Sequence, residues 1–294
     1  MRQMRARRIP ENPIVSPDSH EAIGDNINGP SLIRVPDWAP GRLGRYYLYF
    51  AHHSGDFIRL AVADHIAGPW RVHSPGVMDL AVSGFTGHIA SPDVHVDEAN
   101  RRFVMYFHGA PADYETGQAS AIAYSGDGLS FVRSGGLVAR PYLRVFTVND
   151  AVYGIAIPGS LYWSPDGGQA FQKGPLLFDP QTRHFAVRVR DGAIEAFYSV
   201  RGDSPERILV SRVECVGEWT SWRAGEPQIV LEPETDYEGV DLPVEPSVKG
   251  RAHGRVRQLR DPAVFEEAGR TWLVYSVAGE SGLAIAEIVE STND

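Results

Sequence analysis

Two aspartates stand beside prolines where extended stretches begin: Asp93 in Ser91-Pro92-Asp93 and Asp261 in Arg260-Asp261-Pro262. A carboxylate in that setting often caps a turn or strand end, but where several such starts converge it can exchange a proton with a ligand. Glu245, in Val244-Glu245-Pro246-Ser247, is a further acid or base, and Glu238 and Asp241 lie just ahead of it. The last two could also hold a hard cation, although no dense oxygen-ligand motif surrounds them. His52 and His53 follow the aromatic run in YLYFAHHSG, and His108 does so in VMYFHGAP. His88 and His184 each sit at the start of another stretch. Imidazoles titrate near neutrality, so these five could bind hydroxyls, donate a proton or ligate a metal. No HxH or HExxH spacing singles out the metal role. Arg183, Arg201 and Arg260 suit a carboxylate or phosphate on a ligand, or balance nearby acids. Trp38, Tyr153 and Trp163 offer faces for stacking, although such rings also pack between sheets.

The elements that must position these groups repeat. RDPAVFEEAGRTWLVYSVAGESGLAIAEI, residues 260–288, reads as three short strands joined by tight turns. The same order recurs from Gly29, Ser91, Asn149 and Arg183: a short strand, a turn, an aromatic-rich strand, a loop and a third strand. A lone meander cannot bury its faces, so five in series predict mutual packing. The expected fold is all-β, a five-bladed β-propeller over residues 26–294, with fourth strands drawn from segments such as 137–140 and 228–231. Residues 1–25 carry Pro10, Pro13 and Pro17 without periodicity and read as a solvated N-terminal tail. Residues 219–258 form a long, loop-rich excursion of the kind that serves as a lid or binding loop.

Composition bounds the function. A net charge of −9 argues against a nucleic-acid partner. The single cysteine, Cys215, cannot form an internal disulfide and points to a reducing compartment, so a cytoplasmic location is expected. The basic start, MRQMRARRIPENP, lacks the apolar segment of a secretory signal, and no run approaches membrane-spanning length, so no membrane partner is expected.

Five meanders opening on Asp-Pro or Ser-Pro-Asp, with second strands of the YLYF type, resemble the five-bladed propeller glycosidases. These are glycoside hydrolase family 43 and its relatives, and the likeness runs from Gly29 to Ile288. The resemblance implies a base in the first blade, a modulating Asp in the third and a Glu acid in the fourth. This chain has Gly29-Pro30, Asn149 followed by Asp150, and Arg183-His184 at those places. Only Ser91-Pro92-Asp93 and Asp261-Pro262 keep the pattern. Related anhydro-galactosidases are thought to use a His acid, which draws attention to His184.

The resemblance implies a glycoside hydrolase acting on a small carbohydrate, exo-acting and inverting. Asp93 or Asp261 would be the base and Glu245 or His184 the acid, with Asp150 as a further catalytic candidate. His52, His53, His88, His108, Arg183, Arg201, Arg260, Tyr153, Glu238 and Asp241 would contact the sugar. Such chemistry places its two groups roughly 5 to 10 Å apart across the scissile bond. No cofactor is required, and a divalent cation in the central channel stays open. Two alternatives share the architecture: a glycoside phosphorylase, with arginines holding phosphate, and a non-catalytic sugar-binding propeller.

Overall fold

The computed structural model describes residues 3–112 and 117–290. Its strands form five four-stranded antiparallel sheets. The chain starts with β1 (Met4–Arg8), to which the last blade returns. Blade one is β2 (Asn28–Arg34), β3 (Tyr46–Ala51), β4 (Phe57–Ala63) and β5 (Arg71–Asp79). Blade two is β6 (Thr86–Asp97), β7 (Arg102–Ala110), β8 (Ala119–Ser125) and β9 (Val132–Ala139). Blade three is β10 (Arg144–Val148), β11 (Ala151–Ala156), β12 (Ser160–Ser164) and β13 (Gln172–Leu176). Blade four is β14 (Thr182–Arg190), β15 (Ala193–Val200), β16 (Ile208–Glu214) and β17 (Gln228–Leu231). Blade five is β18 (Arg260–Glu267), β19 (Arg270–Ser276) and β20 (Leu283–Glu290), with β1 as its outermost strand.

The N-terminal segment is not a solvated tail. Met4 to Arg8 pair antiparallel with Glu290 to Ala286, so the start of the chain closes the ring instead of fraying as a tail. Arg8 is fixed there by Glu238, whose buried carboxylate takes two hydrogen bonds from its guanidinium, at 2.8 and 2.9 Å. The third unit is also shifted. Its inner strand is β10, and Asn149-Asp150 form the turn from β10 to β11, at φ 49° and 63°. Left-handed residues at both positions mark the hairpin turn that matches strand twist, and Asn and Asp tolerate it.

The blades hold one another through aromatic faces. Tyr47 and Tyr49 from β3 pack with Phe103 and Phe107 from β7, all essentially without exposure. Burying each such ring contributes roughly 1.5–3 kcal/mol. The repeated Ser-x-Asp turns after β8 and β12 work alike: Asp127 accepts from the amides of Leu129 and Ser130, and Asp166 from those of Gln169 and Ala170. Among the described residues, no helix is long and apolar enough to cross a membrane.

Candidate active site at the inner-strand starts

One backbone feature builds the site. Gly29, Ser91, Tyr142, His184 and Asp261 hold matching places on, or for Tyr142 just before, the inner strands, and each has positive φ, between 49° and 62°. In blades one, two, four and five the ladder shifts register there, as it does between Arg183 and Ala186 and between Arg260 and Ala263. Such a bulge re-aims one side chain, here out of the sheet and toward the propeller axis. Gly29 takes this backbone freely and an aspartate such as Asp261 tolerates it, while Ser91, Tyr142 and His184 adopt it at some cost, as residues at functional positions often do.

The side chains so aimed meet across the axis. Tyr142 Oη donates to Asp261 Oδ1 at 2.8 Å, while Asp261 Oδ2 is buried without a hydrogen-bond partner among the described residues. His184 Nε2 lies 3.7 Å from the same Asp261 Oδ1, and its Nδ1 is 3.4 Å from Ser199 Oγ. Burial, and then the charge of Glu280, push the Asp261 carboxyl up to about 6, against the Tyr142 hydrogen bond and the charges of Arg260 and Arg183. Burial also carries His184 and His108 well below the ordinary imidazole range, helped by Arg183 and Arg260 for His184 and by His88 and His53 for His108. Both are neutral at pH 7. The Nδ1 of His108 is buried and has no hydrogen-bond partner among the described residues, and His88 Nε2 is 3.0 Å from Gln118 Nε2.

A buried ionic floor supports these groups. Glu206 takes two hydrogen bonds from Arg183 and lies 3.2 Å from Arg260 Nε. Arg260, 1% exposed, also reaches Glu280 Oε1 at 3.0 Å. Glu280 accepts from Asn26 at 2.6 Å and lies 3.6 Å from Nδ1 of His53. Its carboxyl is held down to about 2: burial raises it, but His53, Arg260 and Asn26 more than offset that. His53 itself is half-exposed and lines the opening, where Glu280 occupies one ring nitrogen and leaves Nε2 to a ligand.

Two adjoining cavities, of about 90 and 390 Å³, share His53, Gln118 and His184. The smaller holds His88, His108, Tyr142 and Asp261, and the larger opens toward Arg183, Arg201 and Lys249. Together they form a pocket with the Asp261 carboxyl at its floor and polar walls.

No family model matches the chain. It is 36% identical over 322 residues to an uncharacterized protein of Acanthamoeba polyphaga mimivirus, covering 96% of this chain and 89% of that protein. The chain belongs to that protein's family. Among solved structures it is similar to an alpha-L-arabinofuranosidase from Lactobacillus brevis, with TM-score 0.64, 13% identity and coverage of 94% of this chain and 92% of that one. A thermostable family-43 glycoside hydrolase gives TM-score 0.62 and 15% identity over 92% and 90% of the two chains. An exo-1,5-alpha-L-arabinanase from a bovine ruminal metagenomic library gives 0.60 and 12% over 92% and 94%. The chain thus has the five-bladed propeller fold of the family-43 structures.

Within this family member, the structure regroups the residues named from sequence. It brings Asp261, His184, His53, His88, His108, Arg183 and Arg201 to the pocket, with Arg260 beneath it. It does not bring Asp93 there. Proline alignment equates Asp261 with Ser91, and Asp93 faces a separate cavity of about 710 Å³. There it accepts from Val145 N–H at 2.8 Å and pairs with His95 Nε2 at 2.9 Å. Asp150 is exposed in the β10–β11 turn. Tyr153 packs between Phe146 and Trp222 inside blade four's interface with blade three. Glu245 and Asp241 are exposed loop residues, and Glu238 is committed to Arg8 and Tyr275. His52 Nδ1 accepts from Ser54 N–H at 2.9 Å and shapes the turn after β3. Among the described residues, no group of three or more His, Cys, Asp or Glu side chains is arranged to hold a metal ion.

Tyr142, Glu280 and Glu206 were not legible as site residues. Tyr142-Leu143 lacks the proline that marks the equivalent steps at Gly29, Ser91 and Asp261. Gly29 has a steric cause: a Cβ there would stand 2.9 Å from Ser91 Cα, so the first two inner strands approach too closely for any side chain.

Proposed function

We propose that the protein is a glycoside hydrolase acting on short carbohydrates at the inner-strand mouth, with Asp261 as general base. The observation that carries this reading is the Asp261 carboxyl. It lies buried at the floor of a pocket, is raised to about 6, and keeps one oxygen free of protein partners. A base poised near the working pH is what water activation needs. His184 cannot be the opposing acid, because at 3.7 Å it contacts Asp261 instead of facing it across a sugar. His53 suits the role: Glu280, 3.6 Å from its Nδ1, orients the ring, and the side chain lines the opening. Neutral His108 and His184 and the Tyr142 hydroxyl would hold sugar hydroxyls. The pocket's small volume fits a terminal residue, hence exo action, and water attack opposite the leaving group gives inversion.

A second reading has its own support. Gly29, Tyr142 and His184 stand at the first-, third- and fourth-blade positions where the resemblance calls for carboxylates, which favours a sugar-binding propeller without turnover. A panel of aryl glycosides and oligosaccharides, tested with wild type, Asp261→Asn and His53→Gln, separates the two. Hydrolysis lost in both variants supports the enzyme. Binding without release in wild type supports the binding module. Turnover that rises with inorganic phosphate would instead indicate phosphorolysis.

A further inference from the structure

The larger cavity of the pocket carries an imbalance of charge. Its lining includes Arg140, Arg183, Arg201 and Lys249 and, among the described residues, no aspartate or glutamate. This occurs in a chain of net charge −9. Arg183 is neutralised from behind by Glu206. The other three are not: Arg201 donates only to the Pro180 carbonyl, at 3.2 Å, and neither it, Arg140 nor Lys249 has an ion-pair partner among the described residues. Elsewhere on this surface arginines do find carboxylates: Arg207 with Asp203, Arg270 with Glu287, Arg102 with Asp97. Three cations without an ion-pair partner among the described residues, gathered around a concave site that also holds neutral imidazoles, form a receptor for negative charge.

Resting on the reading of this mouth as a sugar site, we propose that the ligand is an anionic carbohydrate. Its carboxylate, phosphate or sulfate lies against Arg140, Arg201 and Lys249 while its ring occupies the space above Asp261. The geometry also explains how a site with an ionisable carboxylate at its floor accepts an anion. Asp261 sits in the smaller cavity, beyond His184, and the cationic wall is on the open side. The anionic group and Asp261 are therefore held at opposite ends of the ligand.

Calorimetric titration of the full chain with matched neutral, uronate, phosphorylated and sulfated forms of the same monosaccharides tests this. At low salt, at least one anionic form should bind about tenfold or more tighter than its neutral parent, and the preference should shrink as salt rises. An Arg201→Gln/Lys249→Gln double variant, altered only at the rim, should lose that preference while keeping the wild-type melting temperature. Which anionic form wins distinguishes carboxylate from phosphate and sulfate. Equal binding of neutral and anionic forms, failure of every anionic form to bind, or a preference untouched by the double variant would overturn the proposal. Neutral glycosides hydrolysed as well as anionic ones would sink this inference and leave the hydrolase standing. Anionic sugars bound at the rim but never cleaved would do the reverse.

Discussion

Tyr142 donates its hydroxyl to Asp261 at 2.8 Å, joining the third and fifth blades across the propeller axis. A hydrogen bond to a carboxylate favours its ionised form, so this contact holds Asp261 lower than burial alone would. Tyr142→Phe should move the Asp261 pKa upward from about 6. Site-selective carbon-13 titration of the aspartates reads it directly, and the acid limb of any pH–rate profile should move the same way. An unchanged or lowered value would show that the hydroxyl does not act on this carboxylate.

Asp261 and Glu280 give stability opposite pH dependences. Asp261 is near 6 when folded, above its unfolded value of about 3.9, so its contribution is full below the unfolded value and is lost as pH rises through 6. Glu280 is near 2, below about 4.3 unfolded, so its contribution is full above the unfolded value and is lost as pH falls. Relative to Asp261→Asn, wild type should therefore lose on the order of 1–3 kcal/mol between pH 4 and 7. Relative to Glu280→Gln, it should weaken as pH falls from 5 toward 2. Urea unfolding at each pH supplies both curves, and parallel curves for wild type and Asp261→Asn would count against the raised carboxyl.

Glu206 is the shared anion beneath Arg183 and Arg260 and is completely buried. Glu206→Gln leaves two buried guanidinium groups short of compensation, and breaking such an arrangement costs about 3–5 kcal/mol. Denaturant unfolding should show a loss of that size. A loss below about 1 kcal/mol would mean water reaches the floor and screens it.

The ring closure makes a prediction remote from the site. Arg8→Ala removes two hydrogen bonds from Glu238, leaving Tyr275 and nearby backbone amides as its partners. Stability should fall by about 2–4 kcal/mol, and deleting residues 1–8 should expose the β20 edge and promote association. Scattering and thermal melts check both; an unaffected deletion would contradict the closure by β1.

How much the sequence tells depends on how locally each feature is encoded. Blades are local meanders, so their number and internal order are legible in the aromatic second strands and turn residues. Asp261, His53, His108 and His184 are legible because each sits at a recognisable point of its repeat. Tyr142 is hidden because its bulge lacks the Pro signal, while Asn149-Asp150 mimics a strand start although its positive φ makes it a turn. Glu280 and Glu206 come from loops after second strands and meet Arg260 only in three dimensions. Closure by Met4–Arg8 pairs opposite ends of the chain, which no local pattern announces.

The central claim is that chemistry belongs to the mouth holding Asp261, not to the larger cavity beside Asp93. The most direct measurement is a crystal structure of the protein soaked with the tightest-binding sugar from the titrations. The account predicts a ring lodged against His53, His108 and Asp261, with Asp261 Oδ2 free to reach the anomeric side. A sugar seated instead beside the Asp93–His95 pair, with the Asp261 pocket empty, would contradict it.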